Sequence, residues 1–596
     1  MAVQESRIHA VANRVLSVLP HAYEFVTPAA HFAGLFAARG SSMARLSDRN
    51  RVRAGLSWFR GVHYGIHEPF RDLGEELIPF DASGAFHPLA EGSELRRLAV
   101  RGAAVTISAS GLVLAAQVIS TVILARLMMP ADFGVVAMAT TFSLLLVNFG
   151  LNGFTEAVIQ FEEIDRYTVS NLFWINSGAG LVLAIAFAAS GSLLARFFRD
   201  PLVAVIAIGL SVGIFISSAS AVHLALLKRA IRFGGTSTNE VVGRVVNTAV
   251  SILLALKGWG YWALVAGIVA QQSSLTIGAW WLCRWVPSSP RRTGKTGAMV
   301  RFAAKVYGQF ILRYSTQNID NLLVGCQFNA VALGFYKKAY DLFALSASQL
   351  TAPLNNVALA TLSRLNQDSA RFRRYLANSL GIIAFVGMAA SADLTLVGRD
   401  VVRLVLGAKW AESGRIFELF GPGIGVMLLC TTVGWIHLSV GRPERWFRWS
   451  LVELALTVSL FLAALPWGPA GIAAAWSLSY WILLIPGFWY AGRPIGFGVS
   501  LLIGAIWKYA VAAGGAALAT FAIIRGTALW EVPSRASAAL GVITIISILF
   551  IALYLGAVIL LHRGLAPLRQ LGTLLRELAP MRGVASSLAE PVGEFK

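Results

Sequence analysis

From Gly102 to Leu561 the chain is a succession of apolar runs, many about 18 residues or longer, each able to cross ~30 Å of hydrocarbon. Fourteen candidate spans result, at 103–127, 132–155, 171–195, 201–226, 241–256, 260–283, 302–326, 333–361, 376–398, 414–439, 447–465, 469–491, 504–525 and 538–561. The 596 residues are 56% hydrophobic and only 13% charged, against about 25% charged in an ordinary soluble domain. That shortage excludes a soluble multidomain enzyme of this length and leaves an all-α, polytopic membrane helix bundle. The three cysteines, Cys283, Cys326 and Cys430, lie in or beside apolar runs without metal or disulfide spacing, and read as small buried hydrophobes.

The formal charge of +20 comes from 41 Arg and 9 Lys against 30 acids. In a soluble protein that balance points to nucleic acid. Here the basic residues sit mostly in short loops, where they orient helices and meet anionic headgroups, so no nucleic-acid partner is expected. One set of alternate loops carries 17 of them, in blocks around Arg166, Lys228 to Arg232, Arg284 to Arg301, Arg364 to Arg374, Arg442 to Arg448 and Arg493. The opposite set is poorer, its largest block being Arg399, Arg403, Lys409 and Arg415. The N-terminal stretch through Arg101 adds twelve Arg to the richer side, so both termini are expected in the cytoplasm. The Arg399–Arg415 loop is the exception to that pattern.

The expected organisation is a cytoplasmic, poorly ordered extension over 1–98, then an N-lobe of spans 1–6 over 99–300. A C-lobe of spans 7–12 over 301–492, two extra spans over 493–562 and a cytoplasmic tail over 563–596 complete it. The extension is Arg-rich, holds six of the nine histidines and lacks a long apolar run or a convincing signal peptide. An internal echo supports two halves. Pro130-Ala-Asp-Phe-Gly-Val-Val, between spans 1 and 2, corresponds to Ala330-Val-Ala-Leu-Gly-Phe-Tyr between spans 7 and 8, with Gly134 and Gly334 in matching places. Gly258-Trp-Gly-Tyr-Trp-Ala and Gly468-Pro-Ala-Gly-Ile-Ala form a weaker second echo. Such a plan suits a transporter built from repeats, with its site between the halves.

Polar residues inside spans are costly and face a bundle interior or a water-filled cavity. On span 7, Lys305, Gln309, Arg313, Gln317 and Asp320 fall at i, i+4, i+8, i+12 and i+15, a one-sided stripe about 22 Å long. Span 1 offers Thr106, Ser110, Gln117 and Thr121. Span 2 offers Thr141, Asn148, Asn152 and Thr155, and span 8 offers Lys337, Asp341, Ser348 and Asn355. Lys337 and Asp341 are spaced to pair. Spans 1, 2, 7 and 8 are the echoing pairs, so their stripes are expected to converge on one central cavity. Lys305 and Arg313, with Arg244 from span 5, make it cationic. A pyrophosphate-bearing lipid fits such a wall, with Asn, Gln and Ser left for sugar hydroxyls. Asp320 either pairs with Arg313 or Lys305 or binds a coupling proton or cation.

Other chemistry fails on its own spacing. Gly294-Lys295-Thr296 ends like a phosphate-binding loop, but Ser289 replaces the first glycine and no soluble strand precedes it. His63 and His67 have no third metal ligand. No nucleophile elbow is present, and no large extramembrane loop carries paired acids.

Six segments complete the reading: Leu124–Gly134 (LARLMMPADFG), Leu226–Phe233 (LLKRAIRF), Leu256–Leu264 (LKGWGYWAL), Asn318–Gly325 (NIDNLLVG), Leu333–Tyr340 (LGFYKKAY) and Leu404–Trp410 (LVLGAKW). In this order and spacing the chain resembles the polysaccharide transporter family, the Wzx-type flippases of the multidrug/oligosaccharidyl-lipid/polysaccharide exporter superfamily. The resemblance implies a bacterial inner-membrane bundle of two lobes in alternating access. Its implied cargo is an undecaprenyl-diphosphate-linked oligosaccharide for lipopolysaccharide, capsule or exopolysaccharide synthesis. It implies no enzyme activity, no metal and no cofactor beyond a coupling proton or sodium ion. A polysaccharide polymerase and export machinery are its candidate partners. Arg126, Arg244, Arg313 and Asp320 match as family-like polar positions, whereas the N-terminal extension departs from the family pattern. The alternatives are a cation-coupled drug antiporter of the same superfamily, against which the basic stripe argues, and a membrane-embedded glycan-processing enzyme.

Overall fold

Backbone groups in hydrocarbon have no water to bond, so each crossing segment must close its hydrogen bonds internally. The computed structural model, which describes residues 79–81, 84–86, 93–161, 163–366, 368–527, 536–565 and 567–569, does this with helices. The first half contains α1 (Ser93–Leu127), α2 (Pro130–Leu151), α3 (Phe154–Gln160), α4 (Arg166–Ala189), α5 (Gly191–Phe198), α6 (Leu202–Ser218), α7 (Ala221–Arg229), α8 (Phe233–Leu256) and α9 (Tyr261–Cys283). The second half contains α10 (Thr296–Gln327), α11 (Ala330–Arg364), α12 (Ser369–Leu406), α13 (Ala411–Thr431), α14 (Val433–Ser439), α15 (Pro443–Ala464) and α16 (Gly468–Gly492). Two further helices follow, α17 (Val499–Arg525) and α18 (Ala536–His562).

Every stretch expected to span falls on one helix or on a broken pair, and ten segments among the described residues are long and apolar enough to cross a membrane. Helices α9, α10 and α11 are outside that set. On α10 and α11 neutral polar side chains such as Gln309, Gln317 and Asn318, as well as the charged Arg313, Asp320, Lys337 and Asp341, lower the hydropathy. The sequence pattern does not foresee the breaks at Gly153, Ser190, Ala219–Ser220 and Thr432, because apolar residues run on through them. Two of these recur in matching places, after α6 in the first half and after α13 in the second. The weaker echo also has a backbone cause, since Gly258 (φ 80°) and Gly468 (φ 72°) both turn the chain into the next helix with a positive φ.

The two halves meet where the stronger echo places its glycines. Helices α2 and α11 cross so closely that a methyl group on Gly134 would overlap the Ala330 carbonyl oxygen, and one on Gly334 would overlap the Pro130 carbonyl oxygen. Between apolar helices in lipid such backbone approach supplies dispersion contacts that solvent exclusion cannot. The reciprocity puts this crossing on the axis relating the halves.

The first helix begins at Ser93, inside the stretch assigned to the extension. Part of that extension is docked. Phe80 bridges Phe86, Ala85 bridges Asp165, and the Arg166 amide donates to the Gly84 carbonyl at 2.8 Å. Phe80 is buried against Phe86 and Trp285, with both ring centroids 6.0 Å away. The Arg229 guanidinium lies 5.1 Å from the Phe86 ring and donates to the Val158 carbonyl at 2.7 Å. These contacts belong to a second core that also includes Met299 and Ala303 at the start of α10. The rest of the extension, with His63 and His67, and the C-terminal tail beyond 569 lie outside the described residues.

Candidate translocation site

Helix α10 is held against the first half by two hydroxyls on one face. Tyr307 donates to the Leu145 carbonyl at 2.7 Å and Tyr314 donates to the Thr141 carbonyl at 2.9 Å. Phe149 packs edge-on to Tyr307 at 4.9 Å. Arg313 precedes Tyr314 by one residue, about 100° round the helix, so the polar stripe lies beside the packed face rather than on it. Lys305, Gln309, Arg313 and Gln317 are exposed there.

Asp320 departs from the rest of its stripe. It is buried, with 1% of its surface exposed, and pairs with neither Arg313 nor Lys305. Its carboxylate accepts from the Tyr336 hydroxyl of α11 at 2.8 Å and from the Asn321 amide at 2.7 Å. Spacing along one helix cannot reveal a partner on the next. Tyr336 lies inside the Leu333–Tyr340 segment, but 16 positions from Asp320 and on another helix, so no spacing pairs them.

On α11 the expected Lys337–Asp341 contact is present at 2.7 Å. Lys338, not anticipated from the sequence, lies 3.9 Å from the same carboxylate and 4.1 Å from the centroid of the Phe133 ring across the crossing. The Ser348 and Asn355 side chains lie outside the described residues. On α2, Asn152 donates to the Asn148 side-chain oxygen at 2.9 Å, and Asn148 donates to the Leu144 carbonyl at 2.7 Å, giving a half-buried amide ladder. Thr155 is buried and bonds Ala221, so that end of the stripe is structural. Gln117 is half-buried on α1. Arg244 is half-buried on α8, its Nε enclosed without an acceptor among the described residues. Helices α1 and α8 pack together, with the Thr106 and Ser237 hydroxyls 3.3 Å apart.

The candidate residues therefore separate into an exposed cationic and amide face on α10, half-buried amides at the end of α2, a half-buried ion pair on α11 and the buried Asp320. Nothing in this arrangement activates a nucleophile or positions an acid and base for bond cleavage. Ten segments long and apolar enough to cross a membrane are the mark of a multi-pass membrane protein. Residues 123–415 match a family described as "Polysaccharide biosynthesis protein". The succinoglycan biosynthesis transport protein ExoT of Rhizobium meliloti (strain 1021) is 22% identical over 335 residues, 56% of this chain and 68% of that protein. The teichuronic acid biosynthesis protein TuaB of Bacillus subtilis (strain 168) is 24% identical over 364 residues, 60% of this chain and 74% of that protein. Among solved structures the lipid II flippase MurJ, in an inward closed conformation, superposes with a TM-score of 0.64 at 13% identity, covering 77% of this chain and 98% of that one. That likeness is one of fold. These relatives are named as polysaccharide-biosynthesis proteins, ExoT as a transport protein, and not as enzymes.

Proposed function

We propose that the protein flips an undecaprenyl-diphosphate-linked oligosaccharide from the cytoplasmic to the outer leaflet of the inner membrane, by alternating access of its two halves. The observation that carries this is the exposed Lys305–Gln309–Arg313–Gln317 face on a helix whose neighbouring face is pinned to α2. Moving a diphosphate and its sugars through hydrocarbon is the barrier, and such a face lowers it by supplying charge and hydrogen bonds inside the bundle. Arg313 offers a planar fork to phosphate and Lys305 a point charge. Asn148 and Asn152, on the facing helix, are the groups we assign to sugar hydroxyls. Both termini lie in the cytoplasm in this reading, by the distribution of basic residues. Coupling to a proton or sodium ion belongs to the same proposal, and a polymerase remains the candidate partner.

The test is made in cells lacking the protein, complemented with wild type or Arg313→Ala. Loss of surface polysaccharide, with lipid-linked repeat units accumulating towards the cytoplasm, is the expected result without the protein. Arg313→Ala should fail to restore polymer. Unchanged polymer and intermediates, with raised drug sensitivity, would replace this reading by the drug-antiporter one.

A further inference from the structure

Helix ends carry carbonyls with no partner in their own helix, and their disposal shows what each end is built to hold. Helices α1 and α12, from opposite halves, end on the same face of the molecule, and each caps the other. The Arg126 guanidinium, in the last turn of α1, donates from Nη2 to the Leu404 carbonyl at 2.9 Å and from Nε to the Val405 carbonyl at 3.4 Å. In return, just beyond α12, the Trp410 indole donates to the Ala125 carbonyl at 2.8 Å. The Lys409 ammonium donates to the carbonyls of Arg126, at 3.0 Å, and Met128. Two cations thus sit at the negative ends of two helix dipoles. Trp410 is fully buried, edge-on to Phe133 of the first half at 5.4 Å and to Phe335 of the second at 5.9 Å.

The opposite side of the α2–α11 crossing holds the counterpart. Gly325 stands 200 positions after Ala125, the same offset that relates Gly134 to Gly334. It is covered by Phe198, the last residue of α5, whose ring would lie 2.9 Å from a methyl group placed there. An aromatic from each half therefore packs on a small residue near the end of the other half's first helix. The Trp410 side adds donors that cap carbonyls.

We infer that Arg126, Lys409 and Trp410 form an inter-lobe clasp that holds this face of the transporter shut and must open for cargo to leave by it. The clasp rests on alternating access, but not on the identity of the cargo. It also accounts for one of the four cations in the basic block that broke the charge pattern, because Lys409 caps helix-end carbonyls. The bonds lie at the surface end of the bundle, where water can replace each acceptor when the halves part. Gly134 and Gly334 set the closest approach of the two halves, and the clasp fixes them there.

The test uses the purified full-length protein in nanodiscs, with Cys283, Cys326 and Cys430 changed to alanine and spin labels at Lys257→Cys and Arg415→Cys. Both positions are exposed on this face, one in each half. Distances between the labels are measured by pulsed dipolar spectroscopy without cargo. Wild type should give a dominant short distance. Arg126→Ala combined with Trp410→Ala should raise the long-distance population at least threefold. Trp410→Phe keeps a ring against Phe133 and removes only the donor, so it tests the clasp even if the double variant does not fold, and should show a smaller rise. An unchanged distribution in folded Trp410→Phe and Arg126→Ala proteins overturns the clasp. If the lipid-linked cargo is wrong but the clasp is right, the distances still shift while polymer synthesis does not depend on the protein.

Discussion

A carboxylate enclosed among helices is costly unless donors face it, and Asp320 has two, one of them from the neighbouring helix. Tyr336→Phe removes the cross-helix donor while keeping the ring. We expect it to lower stability by about 1–3 kcal/mol, because the buried acceptor loses a bond and gains no water. Thermal unfolding in detergent measures this, and an unchanged midpoint would mean that Asp320 draws its support elsewhere. Arg313 differs in kind. It is exposed, so Arg313→Ala should leave the unfolding midpoint close to wild type while slowing transport strongly. The i, i+4 pattern of span 7 was readable because it belongs to one helix. The split within it was not readable, since burial of Asp320 and exposure of Arg313 depend on how α11 packs.

At the scale of elements, the α2–α11 crossing has no room for a side chain at its two glycines. Gly334→Ala must push α11 away from the Pro130 carbonyl, a rigid backbone neighbour, and should cost about 1–3 kcal/mol. It should also raise the long-distance population in the spin-label measurement, because the clasp closes across the same crossing. A variant with wild-type stability and distances would contradict the close approach. The docked segment around Phe80 gives another test. Phe80→Ala should weaken its docking by about 3 kcal/mol. Hydrogen exchange should then quicken at the Arg166 and Phe86 amides, whose acceptors are the Gly84 and Ile164 carbonyls, while α12 and α13 stay protected. Equal exchange in the two proteins would show that the segment is not held by that ring. Nothing in the sequence marked this docking, since an Arg-rich stretch without apolar periodicity gives no sign of one phenylalanine finding a pocket between two loops.

At the scale of the molecule, much of the architecture was legible because hydrocarbon imposes a strong rule: long apolar runs become helices. The echo around Gly134 and Gly334 also marked the meeting place of the halves. What stayed hidden was the work of Lys409 and Trp410. Charge counting treats a loop lysine as a topological signal, and only tertiary structure shows it capping helix carbonyls 281 to 283 positions earlier.

The central claim is that the exposed face of α10 carries a lipid diphosphate across the membrane. Its most direct test is a proteoliposome assay with undecaprenyl-diphosphate-linked oligosaccharide in both leaflets and a membrane-impermeant glycosidase outside. Wild-type protein should bring the inner-leaflet sugars within reach of the enzyme, and Arg313→Ala should slow this by about tenfold or more, the scale of one lost charge-assisted bond. Sugars that stay protected with wild type, or an Arg313→Ala rate equal to wild type, would contradict the account.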